Sequence, residues 1–186
     1  MDAEEAMKRL KEGNARFVKG ERKQYDFPLR RKEVEGGQKP FVTIITCSDS
    51  RVIPEYVFDA NIGEIFKIHT AGNVLGDIGM GSVEYGVGHL HTPLLVILGH
   101  SKCGAVTATC GGGHAEGHIA SIVKKIAPAA EAGGNDVEES CCINMENVKK
   151  DLMEGSEVVR KAVEDGSLKV VCMKYFLETG EAKEME

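Results

Sequence analysis

In the stretch "FVTIITCSDSR" an apolar run ends on Cys47, with Asp49 two residues on and Arg51 four residues on. A second run, "LLVILGHSKCGAV", places His100 and Cys103 at i and i+3, where an apolar segment turns into a glycine-started helix. At that spacing an imidazole nitrogen and a thiolate converge on one tetrahedral ion, and zinc takes nitrogen at ~2.0–2.1 Å and sulfur at ~2.3 Å. Cys47 completes a Cys2His set if the two apolar runs lie side by side. A closed structural site would add a fourth Cys or His at short spacing; three protein ligands with an open position are the pattern of a catalytic Zn2+, one per chain. Asp49 is close enough in sequence to fill that position itself. Arg51 can instead hold it in a bidentate pair, turned toward a zinc-bound water. Both states are chemically reasonable. Two thiolates cancel the charge of the ion, so its water should ionise less readily than the pKa of about 7 found with three neutral imidazoles. Activity is therefore expected to rise toward alkaline pH.

Each residue alone has a plainer reading. Cys47 would be a buried small residue at a strand end, and Asp49 with Arg51 a turn carboxylate in a surface ion pair; the joint pattern with His100 and Cys103 favours chemistry. His69 opens a loop beside the cleft and can relay protons near neutral pH or serve structure alone. Gly72 and Asn73 are expected in a tight loop bordering the cleft, and Gly104 is expected to bring a backbone N–H near the metal ligands. No role is assigned to His89, His91, His114 or His118, since "CGGGHAEGH" reads as a loop. Cys110, Cys141, Cys142 and Cys172 read as packing residues, and vicinal Cys141 and Cys142 would point opposite ways.

Three β-branched apolar runs, Phe41 to Thr46, Glu64 to Thr70 and Leu94 to Gly99, must position these groups. The first and third are nearly continuous in apolarity, as in parallel strands covered on both faces. Helical patterns over Pro54 to Asp59, over Ser82 to His91 and after Cys103 alternate with them, which argues for an α/β fold with ligands at the carboxyl edge of the sheet. Two further helical segments follow Ala115, and "LKVVCMKYFLETGE" reads as a strand, a turn and a short return strand. "QYDFPLRRKEVEGGQKP" has little periodicity and is expected to be extended. Asp2 caps a first helix whose apolar face must pack on something.

At 186 residues with 42% hydrophobic content, one domain over 1–186 with an N-terminal helical arm over about 2–19 is expected. A net charge of -6 gives no nucleic-acid footprint. The charged N-terminus has no signal-peptide core and no run is long enough to span a bilayer, so a cytoplasmic protein without a membrane partner is expected.

Taken together, "CSDSRV", "HTAGNV", "GSVEYGVGHLHTPLLVILGHSKCGAV" and "GSLKVVCMKYFLETGE" resemble a β-class carbonic anhydrase over essentially the whole chain. The resemblance implies zinc on Cys47, His100 and Cys103, and an aspartate–arginine dyad at Asp49 and Arg51. It implies reversible hydration of CO2 to bicarbonate and a proton by zinc-bound hydroxide. It also implies a mostly parallel sheet in strand order 2-1-3-4 with an antiparallel fifth strand at the edge, flanked by helices. Homodimers or multiples of dimers are expected, with the first helix laid across the partner, which would account for its apolar face. CS2 or COS hydrolysis on the same scaffold, or a non-enzymatic zinc protein closed by Asp49, are the alternatives. The sequence departs from the pattern at "HTAGN", where the family usually has R-N-A-G-N, at Cys172, where it usually has glycine, and in having no tryptophan.

Overall fold

The computed structural model describes residues 1–112 and 115–185. Five strands form one sheet: β1 (Val42–Cys47), β2 (Ile65–Thr70), β3 (Leu94–His100), β4 (Lys169–Tyr175) and β5 (Ala182–Glu184). Their order is β2-β1-β3-β4-β5, with the first four parallel and β5 antiparallel to β4. Every residue of β1 and β3 is buried, which explains why these runs read as unbroken apolar segments. Alternation along them divides the core: Val42, Ile44, Leu94, Val96 and Leu98 face one side, and Ile45, Leu95 and Ile97 the other.

The helices are α1 (Ala3–Lys19), α2 (Phe27–Glu33), α3 (Pro54–Val57), α4 (Asp77–Glu84), α5 (Gly104–Cys110), α6 (Ile119–Ala132), α7 (Val137–Gly155) and α8 (Glu157–Glu164). No described helix is long and apolar enough to cross a membrane. The chain runs from β1 to β2 on one side and then returns to β3 on the other. The carboxyl ends of β1 and β3 therefore lie side by side where the strand order reverses, the place where open α/β sheets bind ligands.

Three expectations are corrected. The segment after Tyr25 is not wholly extended: Asp26 caps α2 by accepting from the Leu29 N–H at 2.9 Å, and Pro28 sits in its first turn. None of its residues is buried, so it leaves no apolar periodicity to read. The helix expected from Ser82 starts earlier, at Asp77, and ends in a wider π-helical turn over Tyr85–His89. There the Gly86 carbonyl accepts from the N–H and the hydroxyl of Thr92.

The third correction concerns α1, whose apolar face is covered by its own chain. Ala6, Met7 and Leu10 pack with Phe41, Val57 and Phe58, so no partner is needed to explain that face. The contact is close at Gly13, where a Cβ would stand 1.9 Å from the Phe58 carbonyl oxygen. Next to it, the buried Asn14 amide donates to the carbonyls of Val57 (3.1 Å) and Gly180 (2.8 Å), and its oxygen accepts from the Ala182 N–H at 2.9 Å. One side chain thus ties α1 to α3 and to the β4–β5 hairpin.

Candidate metal centre

Cys47 ends β1, His100 ends β3, and Cys103 is the residue from which α5 starts. All three are buried, and their ligand atoms lie within 4.8 Å of one another. The two sulfurs are 3.9 Å apart; two Zn–S bonds of ~2.3 Å at a tetrahedral angle would separate them by about 3.8 Å. His100 Nδ1 lies 2.9 Å from the Ser101 carbonyl. A carbonyl only accepts, so Nδ1 carries the proton and Nε2 presents its lone pair. That Nε2 is buried with no hydrogen-bond partner, a costly arrangement that a cation bound there would relieve. The donor set, the sulfur spacing and the unpaired nitrogen fit one tetrahedral zinc ion.

The thiols are conditioned by their surroundings. The neighbouring Cys103 thiol and burial push Cys47 up to about 12, with only partial relief from His100 and the Gly72 N–H. Cys103 is likewise pushed up, by the neighbouring Cys141 thiol and by burial, against the opposing effect of Cys47. Such thiols ionise where a cation takes the place of their protons. The Gly72 N–H reaches Cys47 Sγ at 3.3 Å. Gly72 has φ of 66°, and a Cβ there would stand 2.6 Å from Ile126 Cδ1, so only glycine suits this position.

Asp49 does not join the three-atom cluster. Its Oδ1 accepts from the Arg51 N–H (3.0 Å) and Nε (2.9 Å), and Oδ2 accepts from Arg51 Nη2 at 2.7 Å. These bonds outweigh burial and hold the Asp49 carboxyl at about 2. Oδ2 also lies 3.9 Å from His100 Nε2, at the edge of the ligand cluster. Arg51 holds the carboxylate, with one oxygen turned toward the site.

The remaining candidates divide. His69 is exposed, with Nδ1 3.1 Å from the Cys47 carbonyl. Gly72 and Asn73 form the expected tight loop; both are buried, and Asn144 on α7 donates to the Gly72 carbonyl at 2.9 Å. Gly104 does open α5, but the side chain of Cys103, at the cap position, accepts no capping hydrogen bond. His89, His91 and His118 are exposed, and His114 lies outside the described residues. Cys142 faces Lys174 Nζ at 3.6 Å while Cys141 packs in the apolar cluster of Cys47 and Cys103, so the vicinal pair diverges as expected.

Cys141 against Cys103 was not legible as a site contact. The signal was the helical spacing of Cys141, Asn144, Met145, Val148 and Leu152, all buried on one face of α7. A cavity of about 670 Å³ lies beside the loop, lined by Thr70, Ala71, Val74, Leu75 and Ile122, with Lys124 and Lys125 near it. Its Val74 also packs with Cys47 and Cys103.

Comparison with known proteins gives one consistent result. The pattern of the family described as carbonic anhydrase matches residues 42–182. Carbonic anhydrase 2 of Mycobacterium tuberculosis is 37% identical over 186 residues, covering 95% of this chain and 90% of that protein. The β-carbonic anhydrase CcaA superposes with a TM-score of 0.78 at 22% identity, covering 97% of this chain and 95% of that one. A tetrameric β-carbonic anhydrase of Sordaria macrospora superposes with a TM-score of 0.75 at 24% identity, covering 85% and 86%.

Proposed function

Because the chain belongs to the β-class carbonic anhydrase family, we propose that it catalyses the reversible hydration of CO2 to bicarbonate and a proton, with Zn2+ held by Cys47, His100 and Cys103. The observation that carries this reading is the buried, unpaired His100 Nε2 facing two sulfurs 3.9 Å apart. When bound, Zn2+ supplies the charge that ionises water for attack on CO2.

The chain's own residues do the rest. Asp49 Oδ2 accepts a hydrogen bond from the attacking water and orients it, while Arg51 keeps the carboxylate ionised and fixed by three bonds. The Gly72 N–H draws charge from the Cys47 sulfur. This partly offsets the two-thiolate neutralisation of the ion. Val74 and its apolar neighbours give the uncharged substrate a surface without competing hydrogen bonds.

A second reading has one observation in its favour. Asp49 Oδ2 is 3.9 Å from His100 Nε2, so if the Arg51 pair broke, this carboxylate would be the residue to serve as a fourth metal ligand and close the site. Homodimers or multiples of them, and a cytoplasmic setting, complete the proposal. The tetrameric Sordaria protein supports the first, and six free cysteines, as suits a reducing compartment, support the second.

The test is zinc content together with stopped-flow CO2 hydration from about pH 6.5 to about pH 9. One zinc per chain and activity rising with pH are expected. Full zinc occupancy with no activity at any pH would sink the enzyme reading, and turnover of CS2 or COS in place of CO2 would redirect it.

A further inference from the structure

The loop carrying His100 and Cys103 is held from behind by a carboxylate that takes no part in the site described above. Glu138, in the first turn of α7, accepts from the Lys102 N–H at 2.8 Å through Oε1. That N–H belongs to the peptide unit whose carbonyl, that of Ser101, accepts the His100 Nδ1 proton at 2.9 Å. A single planar amide therefore has an anion on its N–H and the metal-facing imidazole on its C=O.

Amide resonance connects the two ends. An anion accepting from the N–H raises electron density on the carbonyl oxygen, and that oxygen then pulls harder on the Nδ1 proton. We propose that Glu138 is a positioning residue that acts through the Ser101–Lys102 peptide on His100, fixing the Nδ1–H tautomer and strengthening Nε2 as a donor to the metal. Carboxylates bonded directly to metal-ligating histidines have this effect; here a peptide bond stands between.

The surroundings show why the peptide stays in place. Lys102 has φ of 54°, a left-handed conformation that a lysine holds only when its neighbours impose it. Glu138 bonds the N–H of this residue, and Arg51 Nη2 approaches its carbonyl at 3.4 Å, so Asp49's partner and Glu138 grip the same residue from opposite sides. Glu138 is itself fixed by Lys174, which pairs with Oε2 at 2.8 Å and donates to the Glu138 carbonyl at 3.2 Å. Lys174 lies on β4 opposite Gly99, one residue before His100 on the neighbouring strand.

The inference rests on His100 being a zinc ligand, and Glu138→Gln and Lys174→Met test it in the zinc-loaded protein. The readouts are the rate of zinc transfer to excess chelator and the His100 Nδ1 proton shift by NMR, the latter also in metal-free protein. Glu138→Gln is expected to speed zinc loss about 3- to 10-fold, below the 10- to 100-fold of direct partners because a peptide intervenes, and to move the Nδ1 proton upfield. Lys174→Met leaves the Glu138 carboxylate in place but frees its side chain, so both readouts should shift in the same direction as in Glu138→Gln and by less, zinc loss rising no more than about threefold. If Glu138→Gln matches the unmodified protein, or if it speeds zinc loss without moving the Nδ1 proton, the relay is overturned and Glu138 only packs α7. Failure of the unmodified protein to take up zinc would sink the function reading separately, while the metal-free Nδ1 shift would still decide the relay.

Discussion

Two aspartates in this chain are held by arginines, and they differ in what is left over. Asp59 has no exposed side-chain surface; Arg16 Nε meets it at 2.5 Å and Arg22 Nε stands at 3.6 Å. The Lys23 N–H reaches both of its oxygens at 3.2 Å, and the Tyr25 hydroxyl donates to its carbonyl at 2.7 Å. It joins α1 and the following segment to the end of α3. Asp49 is gripped by one arginine from one side, retains some exposure, and turns Oδ2 toward His100 Nε2. The same ion-pair chemistry makes architecture where both oxygens are held by α1 and the segment after it and solvent is excluded, and a reactive group where one oxygen, bonded once, still faces the site.

The comparison breaks if the two carboxylates prove interchangeable. The largest effect is expected at Asp59. Its replacement by alanine leaves Arg16 and the Lys23 N–H uncompensated, and should cost about 3–5 kcal/mol, read as a lower urea midpoint of the zinc-loaded protein. The folded fraction should keep its zinc and its turnover. Asp49→Asn should do the reverse. Hydration should fall at least about 100-fold, with unfolding free energy shifted by less than about 1 kcal/mol, since an exposed pair contributes little. Stability loss at Asp49 or activity loss at Asp59 would collapse the distinction.

Much of the site could be read from residue types because its parts sit at strand ends. The runs before Cys47 and His100 are buried on both faces, so their apolarity announced β1 and β3, and the ligands follow at once. The strand order that brings the runs together came from the family resemblance, and the register agrees: Thr43 to Thr46 pair with Leu95 to Leu98. What stayed hidden depends on contacts between distant segments. Arg16 meets Asp59 across 43 residues, and Lys102 meets Glu138 across 36, and no periodicity encodes such a pairing. Helix α2 escaped for a different reason: its signals are a cap and a proline, while its faces are all exposed. The apolar face of α1 was legible, but its cover was misassigned, since the pattern shows that a face is buried and not what buries it.

Smaller effects sharpen the comparison by measuring how firmly Asp49 is held. Arg51→Lys keeps the charge but loses the fork that bonds both oxygens, so hydration near neutral pH should fall about tenfold as Asp49 gains freedom to approach the metal. The smallest effect is in the titration of Asp49 itself. Its carboxyl is held at about 2, chiefly by the Arg51 guanidinium, against an ordinary value of 3.8. A folded-state value below the unfolded one means that the pair's contribution to stability is fully present above about pH 4 and is lost as pH falls through about 2. Carboxyl carbon NMR should find Asp49 ionised at pH values where exposed aspartates have begun to protonate, and the Arg51→Lys midpoint moved up toward 3.8. An Asp49 that titrates at the ordinary value in the unmodified protein would mean that Arg51 does not hold it. The carboxylate would then be free to swing onto the metal at any pH, and the oxygen that distinguishes Asp49 from Asp59 would close the site.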